Sequence, residues 1–182
     1  QIPLSNFTRD TSAIANINPV YGIVSNMGIL LWCVAASTCA FAAMMHKTFK
    51  SKINFYFLLT SALLSSYLMF DDLFLIHEKF SVKAGLNEEV VFVFLGVAIV
   101  TYLIYFRKLI LQTNAIMLLI ALVFFALSIL SDFSEQWLKM QLGHWKYLIE
   151  DGAKWIGIVF WCSYHLHTSY YFTKRSLRMT DI

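Results

Sequence analysis

The chain has 182 residues, of which 59% are hydrophobic and 14% charged, with a mean hydropathy of +0.64 and a formal net charge of +3. That is far too apolar for a soluble domain and reads as an integral, multi-pass membrane protein. Sixteen Phe, nine Tyr and five Trp accompany only seven Gly and two Pro, and the segments do not alternate apolar with polar residues, so a β-barrel is excluded in favour of an all-α bundle.

Residues 1–18 read as a polar extracytoplasmic tail, without the basic start and apolar middle of a signal peptide. Asn6-Phe7-Thr8 is a glycosylation sequon, relevant only in a eukaryotic secretory setting. Crossing the hydrocarbon takes about 20 mainly apolar residues. Five stretches meet or approach this: Val20 to Met45, Phe55 to Ile76, Val90 to Phe106, Ala115 to Leu130 with a polar extension, and Tyr147 to Phe172. They define a five-transmembrane-helix domain over 19–174 and leave 175–182 as a cytoplasmic tail. The connections are short, so sequential helices are expected to be antiparallel neighbours.

Orientation follows from the distribution of basic residues. Lys47, Lys50, Lys52, Arg107, Lys108, Lys174, Arg175 and Arg178 fall on one side, accompanied by a single acid, Asp181. Ten of the eleven carboxylates fall on the other. The N-terminus is therefore expected outside and the C-terminus in the cytoplasm. The positive charge is a topological signature with no nucleic-acid-reading motif behind it, so nucleic acid is not an expected partner.

In the first helix Ala35, Ala36, Ser37, Ala40, Ala42 and Ala43 make a small-residue surface suited to close helix contact. The second helix carries Asp71, Asp72, His77 and Glu78 near its end. Asp71 and Glu78 lie two turns apart on one face, whereas Asp72 points about 100° away. One aspartate at most is thus expected to share a site with Glu78. The fourth helix carries Asp132 and Glu135 on a stripe with Ser128 and Ser131. The fifth opens with Glu150 and Asp151, four and three residues before Lys154, which allows a salt bridge within that helix. The cysteines, Cys33, Cys39 and Cys162, lack metal-type spacing and read as packing residues.

Antiparallel packing would gather Asp71, Asp72, Glu78, Asp132, Glu135, Glu150, Asp151 and His77 at one membrane face. Carboxylates that near hydrocarbon are normally paired, metal-bound or facing a wet cavity. Inward-facing carboxylates with imidazole build dimetal sites in helical bundles, although the Glu-x-x-His pairs of those sites are missing. The leading expectation is an extracytoplasmic carboxylate site for a divalent metal or another cation. If catalytic, its metal would activate water or oxygen against a lipid-like substrate.

Two other readings compete with it. One is an accessory or assembly subunit of a larger membrane complex, whose partners would be membrane lipid and either other subunits or a second copy. The other is a proton or cation pathway from the acidic mouth through Lys154 to His165. Asp151, Lys154, Trp161, His165 and Thr168 share one face of the fifth helix, with His165 about 20 Å below the acids at 1.5 Å per residue. An ordinary placement of His165 and His167 at the cytoplasmic interface, within an aromatic belt of Tyr164, Tyr170 and Tyr171, is the expectation weighed against that pathway.

Overall fold

The structure is a computed structural model, and it describes residues 3–48, 51–76, 85, 87–134, 140, 141, 143 and 145–180. These are helical and contain no strand. Two single-turn helices, α1 (Ser5–Thr8) and α2 (Thr11–Ala15), precede five long ones: α3 (Ile23–Thr48), α4 (Lys52–Phe74), α5 (Glu88–Leu111), α6 (Ala115–Phe133) and α7 (Trp145–Thr180). The expected helices are all present. The last runs through Thr180, so most of the segment read as a cytoplasmic tail continues the helix.

Four helices, α3 to α6, are long and apolar enough to cross a membrane. The fifth, α7, is longer still at 36 residues, but its sequence is too mixed to meet the same standard. Packing explains why. α7 lies against both α3 and α6, and its polar side chains His165, Thr168, Ser169 and Ser176 are all buried inside the bundle. A helix that spends its polar residues on its neighbours needs only its outward face to be apolar. On α7 that face carries Ile156, Leu166 and Tyr170.

Small residues set how closely the helices approach. Ala35, Ala36, Ala42 and Ala43 of α3 are buried in the bundle, where α3 packs on α4 and α7. Four of the six small residues read as a surface for close helix contact are therefore used within the chain, while Ser37 and Ala40 remain exposed. Gly157 of α7 meets α6 so closely that a Cβ there would come within 2.6 Å of two Phe125 ring carbons. α5 stands further out and reaches α4 through large rings. Phe57 stacks on Tyr102 with centroids 5.7 Å apart and meets Phe106 edge-on at 5.2 Å. The Tyr102 hydroxyl lies 2.8 Å from Ser61 Oγ.

An aromatic layer crosses the middle of the bundle. Trp32 of α3 stacks on Phe125 of α6 at 5.7 Å and meets Trp161 of α7 edge-on at 5.8 Å. Trp161 and Phe125 complete the triangle at 6.2 Å. Buried indole N–H groups need acceptors. Trp161 finds Ser65 Oγ at 2.9 Å, and Trp32 reaches the carboxylate described next.

Candidate functional site

The helices bring the acids to one end of the bundle, as antiparallel packing requires. α4 ends at Phe74, just past its aspartates, because Leu75 turns into the left-handed region at φ +51° and returns its N–H to the Asp71 carbonyl. Such a left-handed residue is a common helix stop. Asp71 and Asp72 therefore occupy the last turn of α4. On α6, Asp132 is likewise in the final turn, and on α7 Glu150 and Asp151 lie one to two turns from the start.

All five surround one cavity of about 360 Å³. Asp71, Asp72, Asp132, Glu150, Asp151, Lys154 and Ser128 supply its polar lining. The rest of the lining is apolar or aromatic: Leu68, Phe92, Leu95, Ile99 and Ile129, with Trp32 and Phe125 of the aromatic layer. Both aspartates of α4 reach this space although they point in different directions, because the cavity is wide enough to meet two faces of one helix end. Among the groups called from sequence, His77, Glu78 and Glu135 lie outside the described residues.

One carboxylate is held firmly. Lys154 Nζ lies 2.6 Å from Asp72 Oδ1, and the Trp32 indole N–H donates to Asp72 Oδ2 at 2.9 Å. Asp72 is thus bonded from α3 and from α7 at once. The intrahelical bridge from Lys154 to Glu150 or Asp151 is not what forms. Glu150 instead pairs with Lys146 at 3.1 Å, one turn back along α7. The reason is geometric: Lys146 is nearly fully buried and has Glu150 one turn ahead, while Lys154 is long enough to cross to Asp72, which is more enclosed than Glu150 or Asp151. Asp132 and Asp151 are exposed and Asp71 is buried.

Behind this cavity lies a second of about 310 Å³, bounded by the start of α3 from Gly22 to Gly28 and by Trp155 and Ile158. Asp72, Asp151 and Lys154 line both spaces. The Asp72–Lys154 pair thus forms part of the partition between them.

The cavity lining carries five carboxylates and one ammonium. Asp72 and Glu150 are paired with Lys154 and Lys146, and the exposed Asp132 and Asp151 present their charge at the open part of the lining. The carboxylates are dispersed around the space and do not converge. Among the described residues, no three of His, Cys, Asp and Glu stand close enough to hold a metal ion.

Trp32 is the site residue that sequence reasoning passed over. The signal was its own indole: a tryptophan in an otherwise apolar helix needs an acceptor for its N–H, and a carboxylate at that depth is the obvious one. The apolar wall from α5 carried no sequence signal distinguishing it from any lipid-facing stripe.

His165 does not belong to this site. The aromatic layer closes the cavity beneath Trp32 and Phe125, and Ile158 is buried between Lys154 and Trp161 on α7. A continuous polar route from Lys154 to His165 is therefore interrupted by apolar and aromatic side chains. His165 is fully buried, with its ring 4.7 Å from Trp161 and 5.0 Å from Tyr164, while His167 is exposed.

No curated protein and no solved structure matches the chain. A family model does match, over residues 1–168, and the chain belongs to that family, described as "Domain of unknown function (DUF8692)".

Proposed function

We propose that this protein is a five-span membrane protein whose acidic end, on the extracytoplasmic side, binds a cation carrying an apolar portion. The observation that carries the reading is the mixed lining of the cavity: five carboxylates and Lys154 share about 360 Å³ with seven apolar or aromatic side chains. A bare metal ion would use only the acids, and the dispersed carboxylates suit it poorly. An alkyl- or arylammonium ion uses both parts of the lining. Its ammonium would be shared between the exposed Asp132 and Asp151, and its hydrocarbon or ring would lie on Trp32, Phe92 and Phe125, where cation–π attraction adds to burial. Lys154 already occupies Asp72 in the way such a ligand would. Placing α7 across the membrane as the fifth span follows from its length of about 54 Å at 1.5 Å per residue and from its inward polar face.

The test is ligand-dependent stabilisation of the purified protein in nanodiscs. Dodecylammonium should raise the unfolding temperature, whereas dodecanol and dodecyl trimethylene glycol ether, which lack the charge, should not. Asp132→Asn and Asp151→Asn should each weaken the dodecylammonium shift. Equal stabilisation by the charged and uncharged amphiphiles would defeat the proposal. Stabilisation by Mg²⁺, Mn²⁺ or Zn²⁺ at micromolar concentration, with none by the amine, would return the site to the metal reading.

A further inference from the structure

Below the aromatic layer lies a second polar feature, independent of the acidic cavity and of the function proposed for it. His165 and Thr168 are both fully buried, one turn apart on the same face of α7. Among the described residues, neither ring nitrogen of His165 has a hydrogen-bond partner. Thr168 Oγ1 is near the Tyr164 hydroxyl, but not in hydrogen-bonding geometry. Three polar atoms on a single helical turn are thus enclosed without the partners that buried polar groups almost always have.

The groups around them determine what would satisfy these atoms. A neutral imidazole offers one donor and one acceptor, and a threonine hydroxyl offers both. The Tyr164 hydroxyl is already engaged on one side. Thr113 Oγ1 donates to the Ile110 carbonyl at 2.8 Å, so the tyrosine donates to Thr113 at 3.1 Å and keeps a lone pair. Thr113 is half-buried in the turn between α5 and α6, five residues past Lys108. A chain of polar atoms therefore runs inward from the Lys- and Arg-rich end: Thr113, Tyr164, Thr168, His165. It ends at Trp161, whose N–H is spent on Ser65.

We infer that His165 and Thr168 form a binding site for ordered water, reached from the Lys- and Arg-rich end of the bundle through Thr113 and Tyr164. Buried waters typically make two to four hydrogen bonds to such otherwise unsatisfied groups, and the site supplies donors and acceptors in that number. The water makes His165 a proton-exchanging group deep in the helical domain. The Trp32–Phe125–Trp161 layer keeps that group separate from the acidic cavity, so the polar track on α7 is a blind half-path and not a through-channel.

The experiment is water-edited solid-state NMR of the full chain in liposomes, with ¹⁵N-labelled histidine and the His165 signals assigned by their loss in His165→Gln. Magnetisation is expected to pass from water to the His165 ring nitrogens, to fall several-fold in Thr168→Val and Tyr164→Phe, and to persist in Thr168→Ser. Both Thr168→Val and Tyr164→Phe keep the side-chain shape, so the fold has little reason to change, and unaltered transfer to His167 checks that. A dry His165 in the wild-type protein overturns the inference. So does transfer to His165 that Thr168→Val leaves unchanged.

Discussion

Lys154 on α7 and Asp72 on α4 form an ion pair at 2.6 Å across the acidic cavity, in preference to the two acids available to Lys154 one turn back on its own helix. Asp72 is the better partner because it is the more enclosed and already accepts the Trp32 indole at 2.9 Å, so a cation there offsets a desolvated charge. The pair links α3, α4 and α7 through one carboxylate.

Removing either member should show this coupling. Asp72→Asn leaves Lys154 without its partner at the cavity wall, and Lys154→Met leaves the Asp72 carboxylate with the indole alone. Because Lys154 is 40% exposed, solvent screens the pair, and the coupling energy should be near the upper end for exposed ion pairs, about 1 kcal/mol. A double-mutant cycle by reversible unfolding in mixed micelles measures it. Strict additivity of the two single losses would mean that the pair contributes nothing to the fold.

Ser61 and Tyr102 predict an asymmetry. Ser61 Oγ donates to the Phe57 carbonyl at 2.8 Å, so the Tyr102 hydroxyl is the donor in their 2.8 Å contact. Tyr102→Phe then leaves every remaining group on α4 satisfied. Ser61→Ala strands a buried phenolic O–H, which costs about 1–3 kcal/mol. Ser61→Ala should therefore lower stability more than Tyr102→Phe, although it removes fewer atoms. The reverse order in the same unfolding assay would show that the hydrogen is placed the other way.

Gly157 should be intolerant of even one methyl. A Cβ at this position would sit 2.6 Å from the Phe125 ring and 3.2 Å from the Ala121 carbonyl oxygen, so α6 and α7 must separate or the ring must leave its stack with Trp32. Gly157→Ala is expected to cost about 1–3 kcal/mol, the usual range for overpacking, with partial recovery in Gly157→Ala/Phe125→Leu. Gly96, where a Cβ meets nothing within 4 Å, serves as the control. There Gly→Ala should be neutral or should stabilise α5 by up to about 1 kcal/mol.

The contrast between these glycines illustrates what could be read from the chain in advance. Long apolar runs announced the helices, because length and hydropathy are local properties, and the acids at matching helix ends followed from connection length alone. Which partner a residue takes was not local. Lys154 had Glu150 and Asp151 in reach along the sequence, yet its partner came from α4. Asp71 and Asp72 were separated by helical phase, yet both face the cavity because its width depends on where α5 and α6 stand. His165 looked interfacial when counted from Lys174, while its burial depends on α7 being enclosed by α3 and α6. Only Trp32 left a usable local sign, its unaccounted indole N–H.

The cysteines give a direct check on which faces are enclosed. Cys33 is exposed on α3, whereas Cys39 and Cys162 are buried, with Cys39 Sγ 3.7 Å from Ser169 Oγ. In mixed micelles a small maleimide should modify Cys33 ahead of Cys39 and Cys162, and all three should react after denaturation, as counted by intact mass. Rapid labelling of Cys162 in the folded state would mean that α7 is not enclosed as described.

The position of α7 decides whether the domain has five spans, and its two ends test this. Its first turns carry Glu150 and Asp151, and its last carry Lys174, Arg175 and Arg178. At about 1.5 Å per residue, the 23 residues from Asp151 to Lys174 cover about 35 Å, slightly more than a hydrocarbon core of about 30 Å. If α7 crosses, single cysteines at Gly143 and Arg178 in a cysteine-free background should react with an impermeant maleimide from opposite sides of sealed vesicles. The basic-residue rule further places Arg178 on the cytoplasmic side, together with a cysteine at Gln112 in the turn between α5 and α6. Labelling of Gly143→Cys and Arg178→Cys from the same side would make α7 a helix enclosed by the bundle without crossing. The acidic and basic ends would then share a compartment, and the extracytoplasmic assignment of the cation site would fall with the fifth span.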